Sequence, residues 1–323
     1  MQRIEKIKSW LHGLGYEDYG WETASSDASF RRYFRITLAT EDSYIVMDAP
    51  PFKEDTGPFI HVSALMADIG LNVPVVKQAN IEDGFLLLSD LGDIQYLSVL
   101  TADNANSLYG DAIRALLNLQ AGAPRQGLPL YNHELLLREM ELFREWYLQK
   151  HLGLRLSAKQ QAMLDDMFEL LAQSALEQPQ VCVHRDYHSR NLMVTTANNP
   201  GILDFQDAVI GAVTYDLVSL LKDCYVAWPA EQVRNWALDY QQQAQQKEIM
   251  QPVSEQQWLQ WFDWMGVQRH LKATGIFARL DQRDGKPGYL KDIPRTLSYV
   301  LDVTDRYKAL HPLNDLISSI NPV

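Results

Sequence analysis

The chain has 323 residues, 46% hydrophobic and 22% charged, with a formal net charge of −12. Such a composition supplies a sizeable core for one or two domains and excludes disorder for the bulk, while the acidic balance argues against nucleic acid as a partner, since affinity there rests on Lys and Arg at phosphates. Two cysteines, Cys182 and Cys224, make no disulfide framework, and no apolar stretch has signal-peptide or membrane-span length, so a cytoplasmic protein with no membrane partner is expected.

In chain order, Ile4, Ile7, Leu11 and Leu14 share one helical face and predict a short amphipathic helix over 3–14. Residues 30–38 and 43–49, joined through Glu41-Asp42-Ser43, predict a β-hairpin. A helix over 58–69 ends at Gly70, and 73–78 and 85–88 read as two more strands. A small, mostly β lobe thus spans 1–89. Residues 90–323 read as a larger, mostly helical lobe. In that lobe Leu108, Ile113, Leu116, Leu117 and Leu119 form one apolar stripe, Leu135, Leu142, Phe143 and Trp146 a second, and Met163, Leu164, Met167, Leu170 and Leu171 a third. Short strands at 181–184, 191–194 and 201–204 interrupt the pattern, and helices return at about 214–225, 230–247, 254–281 and 293–309. The fold class is α+β, bilobal, with a small β-rich N-lobe and a larger helical C-lobe.

The short strands carry the chemistry. Val183-His184-Arg185-Asp186-Tyr187-His188-Ser189-Arg190-Asn191 is followed by Ile202-Leu203-Asp204-Phe205. An Asp that can accept a hydroxyl proton stands five residues before an Asn, and a second Asp follows that Asn by thirteen, at the end of an apolar strand. Phosphoryl transfer needs a positioned nucleophile and metal-held phosphates, and this spacing supplies both. Asp186 is the candidate base. Asn191 and Asp204 are the candidate Mg²⁺ ligands, because Mg²⁺ takes oxygen donors and is held by one or two side chains plus phosphate oxygens. A carboxylate ending an apolar strand also needs a cation to offset its desolvation. His184 is expected to brace the loop from a buried strand. In kinase-like folds an Asp at the start of the next helix, here Asp216, accepts backbone N–H bonds from that loop.

These segments resemble the aminoglycoside phosphotransferase superfamily and, within it, the anomeric sugar kinases of bacterial cell-wall recycling, which act on N-acetylmuramate and N-acetylglucosamine. The resemblance rests on Asp27-Ala28-Ser29-Phe30-Arg31-Arg32-Tyr33-Phe34-Arg35, Val46-Met47-Asp48-Ala49-Pro50-Pro51, Leu88-Ser89-Asp90-Leu91-Gly92-Asp93, the catalytic loop, Leu203-Asp204-Phe205-Gln206-Asp207-Ala208, Tyr215-Asp216-Leu217, Gln268-Arg269-His270-Leu271-Lys272 and Gly275-Ile276-Phe277-Ala278-Arg279-Leu280. It covers roughly residues 23–310 and implies a protein-kinase-like fold, with 1–89 as the nucleotide-binding lobe and 90–323 as the lobe of the catalytic loop and substrate site, in an ATP- and Mg²⁺-dependent kinase expected to act as a monomer on a small sugar. It implies that residues 25–35 lie over the nucleotide phosphates, with Ser29, Phe30, Arg31 and Arg32 as nucleotide contacts, and that Leu88, Ser89, Asp90 and Leu91 form the hinge that hydrogen-bonds adenine.

Two features depart from the kinase pattern. The strand Tyr44-Ile45-Val46-Met47-Asp48 has no lysine for the α- and β-phosphates, and the helix after it has no glutamate to pair with one. Arg31, Arg32 or Lys53 is left to supply the charge. On the substrate side His188, Arg190 and Asp207 stand nearest the chemistry. Trp228 is a sugar-stacking candidate, and Arg269 or Arg279 is a candidate for a substrate carboxylate. Trp258, Trp261, Phe262 and Trp264 recur at helical spacing, as core residues do. Two other readings compete: an aminoglycoside or other small-molecule phosphotransferase, which the basic Arg269, His270 and Lys272 disfavour, and a catalytically inactive nucleotide-binding regulatory module.

Overall fold

Phe34 and Ile36 alternate with polar neighbours, and that period of two sets one face of a strand against an apolar core. The computed structural model describes residues 2–26 and 30–320. Asp27, Ala28 and the candidate Ser29 lie outside the described residues, as do the side chains of Ser25 and Ser26.

Five antiparallel strands, β1 (Tyr19–Ser26), β2 (Arg32–Leu38), β3 (Ser43–Asp48), β4 (Val76–Asn80) and β5 (Phe85–Ser89), form one sheet in the order β1-β2-β3-β5-β4. Four shorter strands follow: β6 (Gln180–Val183), β7 (Leu192–Met193), β8 (Gly201–Ile202) and β9 (Val209–Ala212). The predicted β2–β3 hairpin is present, with Glu41 in left-handed conformation at its turn (φ 68°). β1 was not expected as a strand. Its sequence YGWETASS carries Gly and Ser, and it gains order by pairing with β2 through a register shift between Thr23 and Ser25.

The chain divides into two compact units, Met1–Ala115 with Arg190–Asp207, and Leu116–Ser189 with Ala208–Val323. In the first, helix Gln2–Gly13 places Ile7 and Leu11 on Phe34, Ile36, Val46, Phe85 and Leu87 of the sheet. Each such buried side chain contributes roughly 1.5–3 kcal/mol. At the end of β3 the carboxylate of Asp48 is wholly buried. It accepts hydrogen bonds from Arg3 Nε (2.9 Å) on the helix and Arg32 Nε (3.1 Å) on β2, so two guanidinium groups offset the desolvation of one carboxylate. Gly84 returns the chain into β5 with φ +73°, and a Cβ there would stand 1.9 Å from the carbonyl oxygen of Ala49, so no other residue fits. The later segment joins this unit by pairing β7 with β8 and by an Ile202 N–H bond to the Asn72 carbonyl (2.7 Å).

The second unit is mostly helical. Its helices include His133–Leu142, which continues as a π-helical stretch Phe143–His151, then Ala158–Leu176, Tyr215–Leu221, Ala230–Gln246, Glu255–Gln282, Ile293–Arg306 and His311–Ile320. Ser157 and Gln160 form a capping box that fixes the start of Ala158–Leu176. Helix Glu255–Gln282 runs through the core and buries Trp258, Trp261, Phe262 and Trp264, so these aromatics pack the interior. Its Gly275 lets the backbone of Leu142 and Phe143 approach closely, and a Cβ would meet Leu142 C at 2.3 Å. Among the described residues no helix is long and apolar enough to cross a membrane.

Candidate active site

Apolar β6 leads into the loop that begins at His184, and two buried carboxylates of the second unit pin that loop by its backbone. Asp216, in the first turn of Tyr215–Leu221, accepts the N–H groups of His184 (2.6 Å) and Arg185 (2.9 Å). Asp223 accepts the N–H (3.0 Å) and hydroxyl (2.5 Å) of Ser189. Arg185 holds φ +79°, a strained conformation for an arginine, and the loop's anchors keep it there. Its guanidinium pairs with buried Glu139, which also takes Lys272 (3.2 Å) and the hydroxyl of Tyr131. Lys272 in turn donates to Tyr215 (2.9 Å).

Asp186 sits inside this frame. Its N–H donates to His184 Nδ1 (3.2 Å) and its carbonyl accepts the N–H of His188 (3.1 Å), which makes wholly buried His184 a brace of the turn. Burial alone would push the Asp186 carboxyl up. Lys272, His188, Arg269 and Arg185 outweigh burial and hold it below the usual carboxylate range, so it is ionised at neutral pH. Burial pushes Asp216 the other way, up to about 7, against its two backbone donors and with the Asp186 charge adding to the rise.

Asn191 and Asp204 belong to the first unit. Asn191 Nδ2 lies 3.4 Å from Asp204 Oδ2, and its carbonyl accepts the N–H of Leu203 (2.9 Å). Gln206 Nε2 donates to the other Asp204 oxygen (2.9 Å). Asp204 also takes a left-handed backbone, φ +63°. Asn191 and Asp204 are thus side by side, and with the amide turned so that its oxygen is the donor they would suit a hard divalent cation that draws its remaining oxygens from a bound phosphate. No group of three or more His, Cys, Asp or Glu side chains that could hold a metal ion occurs among the described residues.

The expected nucleotide contacts fall into distinct settings. Arg31 is largely buried against Glu54 (3.1 Å), whose other carboxylate oxygen accepts the Phe30 N–H (3.2 Å). Arg32 faces Asp48. In the expected hinge, Leu88 is buried within β5 and the Ser89 N–H donates to the Val75 carbonyl (2.9 Å). Asp90 is clamped by Arg35 Nε (2.5 Å) and the N–H of Gly92 (2.9 Å), and it is held below the usual carboxylate range despite burial. Leu91 packs beside Gly201.

The expected substrate residues separate. His188 lies edge-on to Tyr225 (5.3 Å) in the second unit. Arg269 is buried there too, donates to Cys224 Sγ (3.7 Å), and feels Asp186 and Asp223. Trp228 packs edge-on against Trp236 (5.9 Å). Arg279, ten residues beyond Arg269, has Arg283, Asp284 and Glu145 as its charged surroundings. Arg190 and exposed Asp207 belong to the first unit.

Glu139 and Asp223 are neighbours of the loop that sequence reasoning missed, and Lys272, counted from sequence only among the basic residues of its helix, pairs with Glu139. His270 is another misassigned basic residue: its Nε2 meets the carbonyl oxygen of Lys222 (2.8 Å), and its ring stacks on Tyr299 (4.9 Å). Burial, then the adjacent Arg269, lower its pKa to about 3. Because the folded value lies below the unfolded value of about 6.5, its neutral form contributes stability above pH 6.5, and that contribution is lost as pH falls toward 3. Urea melts should show wild type losing about 2 kcal/mol more than His270→Leu between pH 7 and pH 5. Equal losses in both proteins would remove His270 from the acid response.

A family model described as "Phosphotransferase enzyme family" matches residues 20–261. A Pseudomonas putida protein named N-acetylmuramate/N-acetylglucosamine kinase is 49% identical, over 98% of this chain and 96% of that one. A Neisseria meningitidis protein of the same name is 42% identical over 98% and 96%. Among solved structures, an ADP-bound aminoglycoside phosphotransferase superposes with TM-score 0.58 at 16% identity, covering 91% of this chain and 97% of that one. The choline kinase LicA of Streptococcus pneumoniae gives TM-score 0.65 at 13% identity, covering 94% and 100%. At those identities the structures speak to fold alone, and they establish the kinase-like α+β architecture.

Proposed function

The chain belongs to the phosphotransferase enzyme family, and from that premise we propose that it is an ATP-dependent sugar kinase that phosphorylates the anomeric hydroxyl of N-acetylmuramate or N-acetylglucosamine. The observation that carries the chemistry is the Asp186 carboxylate, kept ionised by surrounding cations on a loop pinned through its backbone. Near-full-length identity of 42–49% to proteins named for these two sugars supports the substrate class.

Asp186 accepts a hydrogen bond from the sugar hydroxyl and aims its oxygen at the γ-phosphorus. The transition state of phosphoryl transfer is loose, so little proton removal precedes bond formation and a weakly basic carboxylate suffices. Asn191 and Asp204 would hold Mg²⁺, which when bound neutralises charge on the β- and γ-phosphate oxygens. Gln206, fixed on one oxygen of Asp204, leaves the other turned to Asn191. The two cysteines are buried and free, as a cytoplasmic location for this reaction implies.

N-acetylmuramate carries a lactyl carboxylate that N-acetylglucosamine lacks. Arg269, a buried guanidinium whose hydrogen bond goes to the Cys224 thiol, is suited to receive it. A sugar panel assayed for ATP consumption, with NMR of the product, tests the proposal. Phosphate is expected on the anomeric oxygen of these two sugars, and transfer to an aminoglycoside or to no sugar at all overturns it. Arg269→Met should raise KM for N-acetylmuramate about 10–100-fold, the loss of a charge-assisted pair, and alter N-acetylglucosamine far less. An equal loss on both sugars would sink the carboxylate role.

A further inference from the structure

Kinase-like sites hold the α- and β-phosphates with a strand lysine that is itself fixed by a helix glutamate. Strand β3 offers neither lysine nor arginine, and its one charged residue, Asp48, is consumed by Arg3 and Arg32. Helix Gly57–Asp68, next along the chain, has no glutamate. Three cations of the first unit remain near the start of β2. Arg32 is held by Asp48 on the cross-strand position. Lys53 is exposed, with its ammonium 4.2 Å over the ring of Phe30. Arg31 differs from both. It stands one residue before β2 and takes a different carboxylate from Arg32, Glu54 in place of Asp48. Its side chain is only 10% exposed and pairs at 3.1 Å with Glu54, itself 14% exposed.

Glu54 is a fixed partner. Its N–H bonds the carbonyl of Pro50 (2.9 Å), one carboxylate oxygen takes the N–H of Phe30, and the other takes the guanidinium of Arg31. One carboxylate therefore orders both the backbone entering β2 and the side chain that follows. Glu54 stands three residues before helix Gly57–Asp68, so the pair joins the strand region to the helix region as a lysine–glutamate pair would. Charge on Asp204 also reaches Arg31, which ties it to the cation-binding end of the unit.

We propose that Arg31, positioned by Glu54, is the cation that binds the α- and β-phosphates of ATP in place of the missing strand lysine. A guanidinium suits this task because its planar fork meets phosphate oxygens in pairs. The inference rests on the kinase reading above, yet its test needs no sugar. Binding of Mg²⁺-ATP and of adenosine is measured by calorimetry for wild type, Arg31→Met, Arg31→Lys, Glu54→Gln and Lys53→Met. Arg31→Met should weaken ATP about 10–100-fold, the worth of a charge-assisted bond to phosphate, and leave adenosine unchanged. Arg31→Lys should recover part of the loss, Glu54→Gln should show a smaller loss of the same kind, and Lys53→Met should bind as wild type.

With a sugar acceptor present, the same losses should appear in KM for ATP and not in KM for the sugar. Unaltered ATP affinity in Arg31→Met, or parallel loss of ATP and adenosine in both Arg31→Met and Glu54→Gln, overturns the assignment. An ATP-selective loss in Lys53→Met transfers the role to that lysine and overturns it equally. Failure of wild type to phosphorylate any sugar would end the kinase reading instead, and the binding series distinguishes that outcome.

Discussion

Asp186→Asn lowers kcat by about 10²–10⁴-fold and leaves ATP affinity near that of wild type. The substitution keeps the size of the side chain and every backbone bond of the turn, because those bonds run through the N–H and carbonyl of residue 186 and not through its carboxylate. What goes is the anion. Lys272, His188, Arg269 and Arg185 surround the position with positive charge, and an amide leaves that charge uncompensated. A modest fall in stability therefore accompanies the kinetic loss, and a thermal melt separates the two. Since the wild-type carboxyl titrates below its usual range, the activity it supports should persist as pH falls toward the ordinary carboxylate range and be lost only below it. Near-wild-type turnover in Asp186→Asn would falsify the role given to this residue.

Asp204→Asn abolishes the dependence of ATP binding on Mg²⁺ and lowers kcat at least about 10²-fold. Asn is the informative choice over Ala. Residue 204 has φ +63°, a conformation that Asn, with its short polar side chain, adopts more readily than Ala, so Asn changes charge without adding backbone strain. A hard cation draws much of its affinity from the formal charge of its ligands, and Asn191 supplies none. Calorimetry of ATP with and without Mg²⁺ reads the effect apart from turnover. A variant that keeps the full Mg²⁺ response places the cation elsewhere.

The elements whose residues face a single core were legible from pattern alone. Ile4, Ile7 and Leu11 repeat at helical spacing and helix Gln2–Gly13 forms. Arg32–Leu38 and Ser43–Asp48 alternate and pair. β1 escaped although Tyr19, Trp21 and Thr23 alternate as strand formers do, because Gly20 and the Ser-rich end weaken the pattern and its order comes from pairing with β2. Helix His311–Ile320 was overlooked although Leu313, Leu316 and Ile317 announce it at spacings of three and four. β9, the run VIGA, is too short for periodicity to choose between strand and coil, and it gains order by pairing with β6.

The site divides the same way. The spacing of Asp186, Asn191 and Asp204 could be read because those residues lie within one short stretch and reaction chemistry fixes their types. The ion pairs that tune them could not. Glu139 is 46 residues from Arg185, and no local pattern joins the two. Arg269, His270 and Lys272 looked like one basic cluster, and three neighbouring positions on a buried helix face three directions: a thiol, a backbone carbonyl, and a Glu–Tyr pair.

The two compact units interleave along the sequence, with crossings after Ala115, Ser189 and Asp207. During synthesis on the ribosome the first unit therefore cannot finish folding when its sheet emerges. It waits for β7, β8 and the residues through Asp207, by which time the early part of the second unit has already been made. Translation pauses before residue 207 would leave that unit with its five-stranded sheet made but without the β7–β8 pair, and no uninterrupted gene fragment encodes either unit without residues of the other.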